Sequence, residues 1–139
     1  MSHDGENSDD SVRSHKDFFA NKNPKFIGTV KKGKYHGTHC QEFRKDKSVR
    51  YEGGFEDGKW SGPGKKTFKN GQPEFTGSFV NGMFHGPDGC EYRDDGTKRY
   101  EGDFEDGKWH GQGTKYFDNE VKNFYHTKTK QKLLTFFFD

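Results

Sequence analysis

The sequence predicts an all-β protein: an elongated single antiparallel meander of about four stacked β-hairpin repeats, curved into an open groove. Three observations carry that expectation. The first is an internal period. Phe26–Gly37, Tyr51–Gly62, Phe75–Gly86 and Tyr100–Gly111 all read aromatic-x-Gly-x-apolar-x-x-Gly-x-aromatic-(His/Ser)-Gly. Their first glycines, Gly28, Gly53, Gly77 and Gly102, lie 25, 24 and 25 residues apart, and a fixed period of this length marks a repeat architecture. The second is turn chemistry, with Asp57-Gly58, Asn81-Gly82 and Asp106-Gly107 inside the units and no helix-length segment between them. The third is composition. Of 139 residues only 26% are hydrophobic, yet 15 Phe, 6 Tyr and 2 Trp are among them, with 19 Gly. The only leucines are Leu133 and Leu134, and Ile27 is the single isoleucine, so a leucine-rich helical bundle has nothing to fill its core. A disordered chain would be poor in rings and strongly charged, whereas 24 basic residues against 22 acidic leave only +2.

The units are taken in chain order as 25–50, 51–74, 75–99 and 100–120. In the second, Asp57-Gly58 suits a type I′ turn, whose two central residues both need positive φ. A continuous ladder then pairs Glu56 with Lys59, Phe55 with Trp60, Gly53 with Gly62 and Tyr51 with Gly64. Since side chains alternate along a strand, the rings share one face with the glycines, and Glu56 and Lys59 form a cross-strand pair on the other. The same arithmetic repeats at Phe104/Trp109 and Phe79/Phe84. Units are joined by further turns at Lys45-Asp46-Lys47, Asn70-Gly71 and Asp94-Asp95-Gly96. One aromatic face cannot be buried within a single hairpin, so neighbouring units must stack, ring on glycine.

The ends depart from the pattern. Residues 1–24 are polar and acidic and are expected to be disordered, with Phe18-Phe19 as a short docking element and Ser8, Ser11 and Ser14 as exposed phosphorylation candidates. Nothing there resembles a secretion signal, so the expected location is cytoplasmic with reduced thiols. Cys40 and Cys90 follow Gly37 and Gly86 at similar distance and are expected at equivalent places four strands apart. That is about 19 Å at ~4.8 Å per strand, too far for a disulfide. Residues 121–139 end in Lys132-Leu-Leu-Thr-Phe-Phe-Phe-Asp139, either a cap on the last hairpin's edge or an anchor to a partner or membrane.

The run Tyr-Glu-Gly-x-Phe-x-x-Gly-Lys-Trp-His-Gly-x-Gly, complete from Tyr100 to Gly113 and nearly so from Tyr51 to Gly64, resembles the MORN repeat (membrane occupation and recognition nexus). The third unit departs by one inserted residue at Pro87-Asp88-Gly89, and the first by Ile27 and Thr38-His39. The resemblance implies a groove-shaped array of hairpins that acts as a binding scaffold, as in cytoskeletal, ciliary and junctional proteins, and in lipid-kinase and methyltransferase proteins that carry such repeats.

No constellation points to catalysis or a cofactor. His36, His85 and His110 recur at one repeat position where the second unit has Ser61, which suits a polar or packing role better than a metal. His36, His39 and Cys40 lack a fourth ligand of recognisable spacing. Gly62-Pro-Gly64 and Gly111-Gln-Gly113 lack the strand-to-helix setting of a dinucleotide loop. Glu52, Glu56, Glu101 and Glu105 read as a solvated face. The expectation is a non-enzyme without cofactor or metal. It binds a protein segment through a groove of Tyr51, Phe55, Trp60, Phe75, Phe79, Phe84, Tyr100, Phe104 and Trp109, using rings not consumed by stacking, with cytoskeletal or ciliary assembly as the setting. Charge supplies the alternative. Residues 25–50 hold eight basic and two acidic residues, and residues 100–120 hold two and six. Lys31, Lys32, Lys34, Arg44, Lys45, Lys47 and Arg50 could thus meet acidic phospholipid or an acidic partner if they share a face, and opposite ends could associate head to tail. No nucleic-acid-binding module is present.

Overall fold

Each unit forms its turn where the dipeptide chemistry demands one. Both central residues have positive φ at Lys32-Gly33, Asp57-Gly58, Asn81-Gly82 and Asp106-Gly107. The computed structural model describes residues 10–117 in full and residues 132–138 as backbone. Its strands are β1 (Val12–Phe18), β2 (Pro24–Lys31), β3 (Lys34–Tyr35), β4 (Gly37–Phe43), β5 (Val49–Glu56), β6 (Lys59–Thr67), β7 (Pro73–Val80), β8 (Met83–Phe84), β9 (Gly86–Tyr92), β10 (Lys98–Glu105), β11 (Lys108–Phe117) and β12 (Lys132–Phe138). They make one antiparallel, open sheet in the order β1-β2-β4-β5-β6-β7-β9-β10-β11-β12, with β3 on β2 and β8 on β7. This is the all-β meander of hairpins that the sequence predicts.

The units interlock at both ends of the strands. On the tight-turn side, the N–H groups of Gly58, Gly82 and Gly107 donate to the carbonyls of Tyr35, Trp60 and Phe84 in the preceding hairpin, at 2.9, 2.9 and 2.8 Å. On the other side, turns at 19–23, 44–48, 68–72 and 93–97 repeat one hydrogen-bond pattern. In each, an Asn or Asp side chain accepts from the N–H two residues on, 2.9 Å in every case, at Asn21/Asn23, Asp46/Ser48, Asn70/Gln72 and Asp95/Thr97. This is the Asx geometry that makes these residues good turn formers.

The core is a relay of rings. Phe26, Tyr51, Phe75 and Tyr100 are completely buried. Each stacks face to face on one partner: Tyr35 at 3.6 Å, Trp60 at 4.5 Å, Phe84 at 3.8 Å and Trp109 at 4.4 Å between centroids. Phe55, Phe79 and Phe104 stand edge-on between these stacks. Phe79, for instance, touches Tyr51 at 5.1 Å and Phe75 at 5.2 Å. Such pairs contribute about 0.5–1.5 kcal/mol each beyond the area they bury. The buried phenols are satisfied, since Tyr51 donates to the Gly54 carbonyl at 2.9 Å and Tyr100 to that of Asp103 at 3.0 Å. Burial pushes the ionisation of both upward, so they stay neutral donors.

Three sequence expectations are corrected. First, Phe55 pairs with Trp60, but Gly53 pairs with Gly64 and Tyr51 with Lys66. Ser61, Gly62 and Pro63 lie opposite Gly54 alone, so β6 carries two extra residues. Gly62 makes that detour at φ 78°, as Gly111 does at φ 61° in the fourth unit, a left-handed conformation open chiefly to glycine. A continuous ladder ignores such bulges. Second, Cys40 pairs with Gly53, whereas Gly102 pairs with Gly89 and Cys90 pairs with Glu101. The counterpart of Cys40 is therefore Gly89 and not Cys90, and both thiols are free and buried. The first and third units share an extra residue, with five steps from Tyr35 to Cys40 and from Phe84 to Gly89, against four from Trp60 to Gly64 and Trp109 to Gly113. Third, residues 12–18 are not disordered. They form β1, pairing His15 with Gly28, as β6 pairs Gly64 with Gly77. The backbone groups of 12–18 find their partners in β2, which offsets the low apolar content of the segment. Ser8 and residues 121–131 lie outside the described residues. The backbone of β12 pairs along β11, Gly113 opposite Phe136.

Candidate functional site

The bond between units also shapes the surface. One residue is bulged out of each joint: Lys25, Arg50, Glu74 and Arg99, each just before the buried ring of its unit. A one-residue bulge re-aims side chains, and here it brings charge beside the rings. The Arg50 guanidinium lies 5.5 Å from the Trp60 ring centre and that of Arg99 lies 5.8 Å from Trp109. The Lys66 and Lys115 ammonium groups lie 6.0 and 5.6 Å from the same two rings. All four sit within the reach of a cation–π contact.

The second ring of each stack is fixed by an acid 18 residues earlier. Tyr35 donates to Asp17 at 2.6 Å, Trp60 Nε1 to Glu42 at 2.9 Å and Trp109 Nε1 to Glu91 at 2.8 Å. Phe84 has no donor to offer, and at its unit the corresponding position is Lys66, paired with Glu74 at 2.9 Å. The hydrogen bond from Tyr35 holds the Asp17 carboxyl below its usual range, aided by His15. Burial, then Asp17, pushes the Tyr35 phenol upward. Unit two thus matches unit four, so the array is a 49-residue double repeat as well as a 25-residue one: Arg50 and Arg99, Trp60 and Trp109, and Glu42 and Glu91 are each 49 apart.

The nine predicted groove residues separate into two layers. Tyr51, Phe55, Phe75, Phe79, Tyr100 and Phe104 are buried in the core. Their stacking uses most of each ring, which narrows the candidate anchors to the rings that stacking does not consume. Trp60, Phe84 and Trp109 pack on the core but are only partly buried, and so is Tyr35, which the sequence reading left out although it holds the same place in its unit. These four lie on every second strand position, roughly 10 Å apart at ~4.8 Å per strand. A cleft of about 290 Å³ opens at Trp60, lined by Glu42, Arg50, Phe55, Lys59 and the turn glycines Gly58 and Gly82.

The predicted basic patch does not form one face, which corrects it as a unit. Lys31, Lys32 and Lys34 gather at the tight turn of the first hairpin, and Lys32 is 3.0 Å from Asp10. Lys45 and Lys47 lie in the turn at the opposite end of β4. Seven residues of extended chain separate the two ends, or roughly 20 Å. Arg44 is a structural tie, donating to the carbonyls of Val49 at 2.9 Å and Thr67 at 2.6 Å. Arg50 belongs to the Trp60 site.

The recurring histidine position makes local contacts: His110 pairs with Glu105 at 3.0 Å and His85 accepts from the Asp106 N–H at 3.3 Å. Its Ser61 counterpart donates to Glu56 at 3.3 Å. No helix among the described residues is long and apolar enough to cross a membrane.

A family model described as MORN repeat matches residues 26–38, 51–72, 75–98 and 100–120, more than half of the chain. No curated protein matches the chain. MORN repeats are non-enzymatic repeat modules, typically scaffolds that bind proteins or membranes.

Proposed function

The chain belongs to the MORN-repeat family, and from that premise we propose that it is a non-enzymatic scaffold gripping a protein segment along the ridge of Tyr35, Trp60, Phe84 and Trp109. The observation that carries this reading is the division of the rings. Seven are consumed by the core, while four are partly exposed and evenly spaced, and two of these, Trp60 and Trp109, lie beside bulged arginines that no core requires. Partly exposed aromatic and arginine side chains are the residues that dominate protein interfaces. The family resemblance supports cytoskeletal or ciliary assembly as the setting.

Trp60 and Trp109 are the only tryptophans, so binding on the ridge should shift the intrinsic emission of the protein. The direct test is affinity capture from the native cell with the wild type and the Trp60→Ala/Trp109→Ala variant, after checking that the variant is folded. The same set of captured proteins from both would sink the ridge reading. The acidic-phospholipid alternative needs the first-unit cations together on one face, and they are divided between two turns. Vesicles of phosphatidylserine should therefore pellet the protein weakly at low salt. Strong, salt-sensitive pelleting abolished by Lys31→Gln/Lys32→Gln/Lys34→Gln would favour the membrane instead.

A further inference from the structure

The ridge carries a charge pattern that specifies more than an aromatic surface. Its acids are spoken for: Asp17, Glu42 and Glu91 each accept from a ridge ring, and Glu74 is paired with Lys66. Three of its cations are not. Among the described residues Arg50, Arg99 and Lys115 have no carboxylate within ion-pair distance. Arg50 and Arg99 are exposed, held by their bulges over Trp60 and Trp109. The third unit differs, because the position 18 residues before Phe84, which holds an acid in the other units, is Lys66 in a neutral pair with Glu74.

Resting on the ridge reading above, we propose that the bound segment is acidic–apolar–acidic, with one carboxylate on Arg50 over Trp60, an apolar side chain on Phe84, and a second carboxylate on Arg99 and Lys115 over Trp109. The complementarity is physical. A guanidinium offers a planar fork that fits a carboxylate with two parallel hydrogen bonds, and stacking on an indole leaves that fork's edge free. The methylenes of a Glu or Asp then lie on the ring beside it. In that unit an acid would meet Glu74 and a base would meet Lys66, so an uncharged group fits best. The two cationic stations are four strand spacings apart, about 19 Å. That distance is about six residues of extended chain or about 13 residues of helix.

Selection from a displayed library of random 20-residue peptides against the full chain tests this. The expected winners carry acids about six or about 13 residues apart with an apolar residue midway. Their binding should weaken about tenfold for each of Arg50→Gln and Arg99→Gln, since loss of one charge-assisted contact is of that order, and should fall with added salt. Both side chains are exposed, so unchanged thermal unfolding of the variants will separate lost binding from lost folding. Winners without acids, or winners that bind the double arginine variant as tightly as the wild type, would overturn the acidic assignment and leave the ridge standing. Failure to enrich any peptide would overturn the ridge reading as well. Phosphatidylserine vesicles form the second arm, and binding to them that the double variant abolishes would give the arginines to a membrane surface and refute the peptide.

Discussion

β1 and β6 hold the same place in their units, yet the array stops at one and continues through the other. Each pairs with the first strand of the following unit, His15 opposite Gly28 and Gly64 opposite Gly77. At Gly64 a Cβ would run into the ring of Tyr51, which comes from the preceding strand, and at Gly113 it would run into Tyr100. At His15 no preceding strand among the described residues supplies such a ring. The imidazole itself lies 6.4 Å from the rings of Phe26 and Tyr35. A glycine at this position therefore propagates the relay, and a side chain ends it. In the backbone register of β12, Phe136 lies opposite Gly113, as Gly77 of β7 lies opposite Gly64. Edge strands invite further pairing unless they are blunted, and β1 also carries Arg13 and Lys16 along its exposed length.

The largest effect should come from imposing the end on the middle. Gly64→Val puts a branched side chain where the Tyr51 ring lies, with backbone and a buried ring on either side, so about 3 kcal/mol or more should be lost. The reverse exchange, His15→Gly, removes a partly buried imidazole from the edge of the sheet and adds chain entropy, and should cost about 1 kcal/mol or less. Thermal or denaturant unfolding of the two variants makes the comparison. Equal losses would mean that ring against glycine does not decide where the array ends.

Much of this architecture was legible because its signals are local and repeat. An Asp-Gly or Asn-Gly pair all but dictates a I′ turn, and rings at a fixed period can bury themselves only against the next unit. The bulges were not legible, because strict alternation assumes that every residue has a cross-strand partner. Arg50 was thus read as part of a basic patch, whereas its bulge brings it over Trp60. Which of the nine groove rings stacking consumes was hidden for a related reason. Sequence gives the face a ring lies on but not its depth, and in each stack only the second ring reaches the surface. β1 escaped notice because His15 replaces the glycine that identifies a unit. A signal was nevertheless present: Asn21-Lys22-Asn23 stands 49 residues before Asn70-Gly71-Gln72, and the two turns are built alike.

A second contrast lies in the joints, which alternate between phenylalanine and arginine along the chain. Arg44 and Arg93 each tie two strands, Arg44 by donating to the carbonyls of Val49 and Thr67 and Arg93 to those of Lys98 and Tyr116. The joints at 19–23 and 68–72 have Phe19 and Phe68 in the corresponding place, and Phe19 is covered by Lys25 at 5.9 Å. Arg44→Ala leaves partly buried carbonyls without a donor, a loss of about 1–3 kcal/mol. Phe19→Ala removes an apolar contact at the periphery and should cost less. If hydrogen exchange in the 44–48 turn is unchanged in Arg44→Ala, the guanidinium tie contributes nothing to the arginine joints.

The smallest effect expected is a pH-dependent loosening confined to the β1 end. Asp17 accepts from Tyr35 at 2.6 Å and from His15 at 3.0 Å, with Lys25 nearby, and these partners favour its charged form. A carboxyl held below its ordinary range stabilises the fold above about pH 4 and loses that contribution as the pH falls through its lowered value. Tyr35 works in the opposite direction. Its raised ionisation contributes below about pH 10 and is lost as the pH climbs further. The interior stacks hold an indole–carboxylate pair or Phe84 in place of this phenol–carboxylate pair, and Asp17 is the ridge carboxylate held below its ordinary range. Acid should therefore speed amide exchange in β1, corrected for intrinsic rates, before it affects β6 or β7. Asp17→Asn keeps an acceptor for Tyr35 but removes the titrating charge, so it should flatten the acid response of β1 and leave the interior strands as they were. An acid response of β1 that persists in Asp17→Asn would assign the loosening to other carboxylates and remove Asp17 from the account of how this end is held.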